Sequence, residues 1–402
     1  MSKRHLTPKE EIRIRRAIQQ KVQFFAPTIS PAPKDVERGE IESIRSAIMI
    51  YKEAGMRGVV IQPKYMGSYC DIYLHHDIEN TRFYSRRGYP VQLKRELDLI
   101  PAVRPLHDRI FSGQMTFANA EIVIIQSELM PWRAMGGRLI DRDFGGYQIS
   151  HQIYQKYLAS TSLKQDVETL RQDGNYHQFL TDQRTMDRKD LRKKYPAHVV
   201  SQYEALQALE IPDHEQYQND IDVYSKQLEL YGSDGELHFK PFNILKIISD
   251  DGDEMILNDH RLGFEMVSDD KCFYFEFDNE TLEENIQRAY VFFHSLVLDK
   301  TEGIIIKPIG EWTPKVVPML KVRNNDYLQM IYGVNFQREY NYYLSHRSVG
   351  NKMRASRNQW AIAQEILKIP MNQIGNSNQQ YVELVRGRIY EEDFEKLLDP
   401  RL

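Results

Sequence analysis

Cysteine is almost missing from this chain. Cys70 and Cys272 are the whole complement in 402 residues, with no CxxC pair and no metal-ligand spacing. That excludes a disulfide-stapled scaffold and a structural zinc site, and it fits a reduced, cytoplasmic setting. Long apolar runs are missing too. None reaches the roughly 20 residues that a bilayer-crossing helix requires, and the polar N-terminus carries no cleavable leader pattern, so a soluble protein without a membrane partner is expected. The net charge is only -4; a near-neutral total neither supplies nor forbids a local basic groove for nucleic acid. There is no GxxxxGKS/T phosphate loop and no histidine and aspartate cluster suited to a two-metal phosphatase, so neither of those activities is expected. What is present is bulk: 41% hydrophobic and 27% charged residues suffice for a full core divided into two or three structural units.

The informative stretch is Val59 to Asp71, VVIQPKYMGSYCD. An apolar run delivers Lys64 into a turn with glycine and serine, and alternating Cys70, Ile72 and Leu74 lead away, which reads as strand, lysine, turn, strand. An ordinary ammonium has a pKa of roughly 10.4 and is a poor nucleophile. Burial and neighbouring cations would make Lys64 a usable amine for a covalent intermediate; an edge-strand lysine facing water has the same local sequence.

Ahead of it, Thr7 to Gln23 suggests a short, solvated amphipathic helix, and Pro27 to Pro33 a connector. Ile41, Ile44, Ile48 and Tyr51 share one face of a helix that stops at Gly55 and packs behind the lysine strand. Beyond it, DIYLHH and RFYSRRGYPV form a hairpin bearing Arg86 and Arg87, whose forks of donors suit a phosphate or sugar and equally suit a solvated hairpin. ANAEIVIIQSELMPW is a stronger strand with Glu128 at its end, placed for a ribose hydroxyl, a metal-bound water, or simple solubility.

Residues 148–235 lose β-branched alternation and gain Gln, Lys, Arg, Glu and Leu, the composition of a helical insertion. The charge cluster from Arg184 to Lys194 mixes aspartates with its cations and reads as a solvated face. The sheet resumes at ELHFKPFNILKII. In TEGIIIKPIG a buried run lies between Glu302 and Lys307, and in PMLKVRNNDYL the alternation turns Lys321 and Arg323 to one side. Strand-borne cations with strand-end acids suit an anionic nucleotide and a divalent metal. From Asn335 on the pattern is helical, with Trp360, Ala363 and Leu367 at helical spacing. Arg338, Arg347, Lys352, Arg354 and Arg357, interleaved with Tyr340, Tyr342 and Tyr343, serve either RNA phosphates and bases or helix packing.

KYMGSY, SRRG, SELMPW, EGIIIKP and MLKVR resemble, in order, motifs I, Ia, III, IV and V of the covalent nucleotidyltransferase superfamily of ATP-dependent ligases and capping enzymes. The likeness is nearest to the ligase domain of bacterial polynucleotide kinase-phosphatase, an RNA-repair enzyme. RGEIE, KPF at Lys240 to Phe242, LKVRNNDYLQMIYG, SVGNKMRAS and the final DPRL are similar as well.

The resemblance implies an α+β fold: a mainly antiparallel, ATP-grasp-like nucleotidyltransferase core in two parts, 36–147 and 236–334, preceded by 1–35, interrupted by the insertion, and followed by a helical module, 335–402, in place of an OB domain. It implies Lys64 as the amine that holds AMP from ATP. Arg86, Glu128, Glu302, Lys307, Lys321 and Arg323 would surround the nucleotide; Glu302, Lys307 and Lys321 would be catalytic with Lys64, and Glu128 and Glu302 would hold Mg2+ or Mn2+. The implied function is sealing of 5′-phosphate and 3′-hydroxyl RNA ends, with separate kinase, phosphatase and methyltransferase partners. Two departures stand out: Met66 replaces the superfamily's usual aspartate, as in the nearest family, and Tyr69 stands where that family carries arginine. Phe144 and Tyr147 are the candidates to stack on adenine. A DNA-joining or capping-type enzyme, or a non-catalytic binding module derived from a ligase, remains an alternative.

Overall fold

A computed structural model describes residues 6–93, 98–112, 117, 119–298, 301–396, 399 and 401. Pro400 and Leu402 of the DPRL stretch lie outside them. The chain divides into two compact units, one formed by 1–140 and 227–402, the other by 141–226. The segment 335–402 clusters with the core, and its described residues form helices Tyr340–His346, Gly350–Lys368, Met371–Gln373 and Gln379–Lys396.

Among the described residues, ten strands make two five-stranded sheets in the first unit. They are β1 Ser30–Pro31, β2 Gly58–Lys64, β3 Ser68–His75, β4 Arg82–Ser85, β5 Ala120–Met130, β6 His238–Ser249, β7 Glu254–Ile256, β8 Phe273–Glu276, β9 Gly303–Ile309 and β10 Leu320–Arg323. One sheet runs β1-β10-β9-β2-β8 and the other β4-β3-β5-β6-β7. Every pairing is antiparallel except β1 with β10, so the mainly antiparallel α+β expectation holds.

The crossing point is the lysine turn. β2 is buried along its length until Lys64, then Tyr65 to Gly67 carry the chain into β3 and the second sheet. Gly67 is required there, because a Cβ would sit 2.6 Å from Met130 Sδ and 2.9 Å from the Leu129 carbonyl. Register places Lys64 opposite Gly303, and Gly303 opposite Arg323. A Cβ on Gly303 would fall 2.1 Å from the Val322 carbonyl; the bare glycine lets β9 and β10 close up beside Lys64.

Three apolar clusters fix this frame. Helix Ile44–Glu53, capped by Ser43, buries Ile44, Ile48 and Tyr51 against β2, β9 and β10, as the sequence predicts. Helix Leu99–Phe111 covers β3, β5 and β6. The third cluster joins residues of both sheets to helices Pro8–Gln19, Gly350–Lys368 and Gln379–Lys396.

Two expectations near the N-terminus are corrected. Helix Pro8–Gln19 is not simply solvated: Ile14, Ala17 and Ile18 are buried in that third cluster while Ile12 faces outward. The proline-punctuated connector is also structural. Thr28, Ser30 and Ala32 are buried, and Ser30–Pro31 pairs with Leu320 and Lys321.

Gly303→Ala is expected to cost about 2 kcal/mol or more, because backbone rather than a yielding side chain blocks the new methyl. Gly146→Ala, on a helix with open space around it, should leave stability unchanged or raise it by about 1 kcal/mol. Urea denaturation of the two variants decides; equal midpoints would refute the close-approach requirement.

Candidate active site

Lys64 Nζ donates to Glu302 Oε1 at 2.8 Å, with the two side chains 18% and 2% exposed. The acid is placed by backbone bonds: Glu302 N–H donates to the Lys64 carbonyl at 3.2 Å, and Asn324 N–H to the Glu302 carbonyl at 3.0 Å. Its other oxygen, Oε2, is buried without a hydrogen-bond partner.

Glu128 enters from the other sheet, on β5 opposite Tyr69 of β3 and Lys240 of β6. Burial drives its pKa up to about 8; Lys64 pulls it down, Glu302 pushes it up, and Arg86 pulls it down. Its Oε2 is likewise buried and unpartnered. Two inward-facing carboxylate oxygens without donors are the expected chemistry of a hard divalent cation site. Among the described residues no group of three or more His, Cys, Asp or Glu could hold a metal alone, so the remaining ligands would come from phosphate and water.

The sequence-predicted cations divide by partner. Lys307, 2% exposed, lies 5.2 Å from the Phe242 ring centre, and burial lowers its pKa to about 7. Neighbouring His260 is pushed down to about 3, first by burial and then by Lys307, and stays neutral. Lys321 is held well below its ordinary pKa by burial and by Arg323, with Lys64 adding to the effect and Glu42 and Glu302 opposing it. Arg86, on the turn after β4, donates to Thr28 Oγ1 at 2.7 Å.

Arg323 is committed elsewhere. Its Nε donates to Glu42 Oε1 at 3.0 Å and its backbone N–H to Oε2 at 2.8 Å, while Arg347 donates to Oε1 at 2.6 Å. Burial would raise the Glu42 pKa, but the two guanidiniums hold it at about 2.

Several groups at the site escaped sequence reasoning. Tyr65 donates to Asp270 at 2.6 Å and Lys240 to the same oxygen at 2.9 Å. Tyr69, in the arginine position, donates to Asp71, and Gln126 donates to the Tyr69 hydroxyl at 2.7 Å. Asp71 is fully buried, and burial raises its pKa, the bond from Tyr69 opposing. Phe242 lies between these groups, 6.2 Å from the Tyr69 ring and within reach of Lys307. Its signal was the KPF match, which carried no role.

Phe144 and Tyr147 fall in the 141–226 unit, where Tyr147 packs 4.2 Å from His151 and 5.3 Å from Tyr224. In the same unit, Lys193 and Lys194 are paired with Asp190 and Asp182, in keeping with a solvated face. Of the C-terminal candidates, Arg347 and Lys352 are buried, Arg357 donates to the Lys315 carbonyl, and Tyr340 bonds the Gly39 carbonyl. Tyr342 is 59% exposed. Among the described residues no helix is long and apolar enough to cross a membrane.

This two-sheet core with a lysine at its crossing point is an adenylyltransferase of the ligase class. Residues 11–373 match the family model described as the PNKP adenylyltransferase domain, ligase domain, and the chain belongs to that family. It is similar to a chain in the solved structure of a Pnkp1/Rnl/Hen1 complex, with 39% identity over 98% of each chain and a TM-score of 0.89. A chain in a second structure, of the Pnkp1/Rnl/Hen1 RNA repair complex, is 38% identical over 99% of this chain and 100% of its own, with a TM-score of 0.86. No curated protein matches.

Two pH effects follow. With a folded pKa near 8 against an ordinary 4.5, Glu128 contributes stability that is complete below about 4.5 and lost as pH rises through about 8. Glu128→Gln should therefore melt a few degrees above wild type at pH 8.5 and level with it near pH 4.5; a pH-independent difference would refute the buried, protonated carboxyl. Lys307, poised near 7, should take up a proton when ATP binds without metal above that pH. Calorimetry in buffers of different ionisation heat reads this directly, and Lys307→Met should reduce the uptake.

Proposed function

We propose that this chain is an ATP-dependent RNA ligase that works through AMP bound covalently to Lys64. The observation that carries the reading is the Lys64–Glu302 pair, seated between two sheets beside buried carboxylate oxygens that lack donors. Nζ attacks the α-phosphorus of ATP, the bond to the bridging oxygen breaks, and pyrophosphate leaves. The Nζ proton has an acceptor at 2.8 Å in Glu302 Oε1. AMP then passes to a 5′-phosphate, and a 3′-hydroxyl displaces it to form the phosphodiester. Each transfer requires in-line geometry and compensation of migrating charge.

Lys307 and Lys321 are the charge-compensating groups. Burial disfavours their ammonium forms in the empty groove, and an arriving phosphate opposes that effect and gains two short-range cations. Arg86 reaches the nucleotide from the β4 turn. Arg323 acts one step back, through the Glu42 pair that fixes β10. Mg2+ or Mn2+ held by Glu128 and Glu302 with the phosphates would neutralise charge on the leaving group. For adenine, Phe242 replaces Phe144 and Tyr147 as the stacking candidate, because it faces the same groove as Lys307.

RNA as the substrate and partner proteins are supported by the names of the similar complexes, Pnkp1/Rnl/Hen1 and the Pnkp1/Rnl/Hen1 RNA repair complex; kinase, phosphatase and methyltransferase activities in those partners are what the family resemblance implies. Tyr69 offers Asp71 a phenol instead of a permanent cation, which predicts weaker handling of phosphate in the later steps than an arginine would give.

The test is incubation with α-labelled ATP and Mg2+ or Mn2+, followed by denaturing electrophoresis. Acid-labile label should stay on wild type and vanish in Lys64→Ala and Glu302→Ala, and the charged protein should join RNA with 5′-phosphate and 3′-hydroxyl ends. No label with either metal would sink the enzyme reading; label from GTP alone would indicate capping chemistry, and joining of DNA alone would overturn the RNA assignment.

A further inference from the structure

The turn that carries Arg86 is fastened from behind. Gly88 N–H donates to the Ser85 carbonyl at 2.7 Å and Ser85 N–H to Tyr89 at 2.8 Å. Gly88 has φ +74°, and a Cβ there would meet the Phe25 ring at 2.5 Å, so the turn lies tight on Phe25. From helix Pro8–Gln19, Arg13 Nη2 donates to the Arg87 carbonyl at 2.7 Å, and its guanidinium lies 5.1 Å from the Tyr89 ring centre. Arg13 is aimed in turn by Glu392 of helix Gln379–Lys396, whose Oε1 accepts from Nη2 at 2.7 Å. Glu392 is 3% exposed. It also accepts from Arg388 at 3.3 Å and lies 3.8 Å from Arg87 Nε, while Arg388 donates to the Ala26 carbonyl at 2.7 Å.

One carboxylate therefore anchors guanidiniums from three segments, and one of those guanidiniums grips the backbone next to Arg86. Removing its charge would leave buried cations uncompensated and free Arg13 from its aim. Glu392 lies beyond residues 11–373, which the family model matches.

We propose that Glu392, acting through Arg13, is a positioning residue for Arg86, setting where its guanidinium meets the nucleotide. This rests on the reading of Arg86 as a nucleotide contact. The two claims separate in a double-mutant cycle that measures the rate of Lys64 labelling against ATP concentration for wild type, Glu392→Gln, Arg86→Ala and the double variant. Glu392→Gln should raise the KM for ATP and lower kcat/KM about tenfold, since a small misplacement of a contact group has effects of that order. The double variant should match Arg86→Ala alone.

A further loss in the double variant, or wild-type kinetics in Glu392→Gln, would overturn the positioning role while leaving Arg86 in place. Wild-type kinetics in Arg86→Ala would overturn the Arg86 reading and the proposal with it. Should Glu392→Gln melt below the assay temperature, Arg13→Lys, which keeps the charge and loses the fork, runs the same cycle with the same deciding outcomes.

Discussion

The ion pair between Lys64 and Glu302 depends on how closely three strands approach one another, and the rest of the groove follows from that approach. Lys64 is the last residue of β2, Glu302 immediately precedes β9, and Gly303 between β2 and β10 has no room for even one methyl group. The apolar runs on either side, Val59 to Ile61 and Ile304 to Ile306, are buried, so the pair cannot drift without unpacking a core in which each fully buried side chain is worth about 2 kcal/mol.

Charge is sorted around that pair in two ways. Glu42 is matched by Arg323 and Arg347 and forms a closed account, with hydrogen bonds to both carboxylate oxygens. Such buried pairs are costly to break and add little net stability when intact, and this one fixes the end of β10 to the segment preceding helix Ile44–Glu53. Lys307 and Lys321 have no such match: burial is the largest influence on each and acts against the charged form. Within one sheet, then, the matched charges hold geometry, and in the proposed reaction the mismatched ones would meet an anion.

The sequence discloses the strands that are buried and hides those that are not. GVVIQPK and GIIIKPI announce themselves as apolar runs, and the alternation in LKVR puts Lys321 and Arg323 on one side of β10. Alternation fixes the side but not the partner; the acid that takes Arg323 stands 281 residues away in the chain. β1 has only two residues, one of them a proline, while β7 and β8 are short edge strands, so none of them carries a periodic signal. Phe242 stood in the KPF match without a role, one aromatic among 17 phenylalanines and 24 tyrosines, because its place 5.2 Å from Lys307 depends on how distant strands come together. Helix Pro8–Gln19 looked solvated because three arginines, a lysine and two glutamates mask a three-residue apolar seam, and one of those arginines, Arg13, is itself buried in partnership with Glu392.

The crossing at Tyr65 to Gly67 separates the place of attachment from much of the lining. Lys64, Glu302, Lys307 and Lys321 belong to one sheet; Glu128, Phe242 and the Arg86 turn belong to the other. In the proposed reaction a group bonded to Lys64 would be cargo on the first sheet, while the second sheet would supply much of what inspects it. A small rocking of one sheet against the other would then present that adduct to a different set of side chains, giving one attachment point successive surroundings for chemically distinct steps without letting the adduct go.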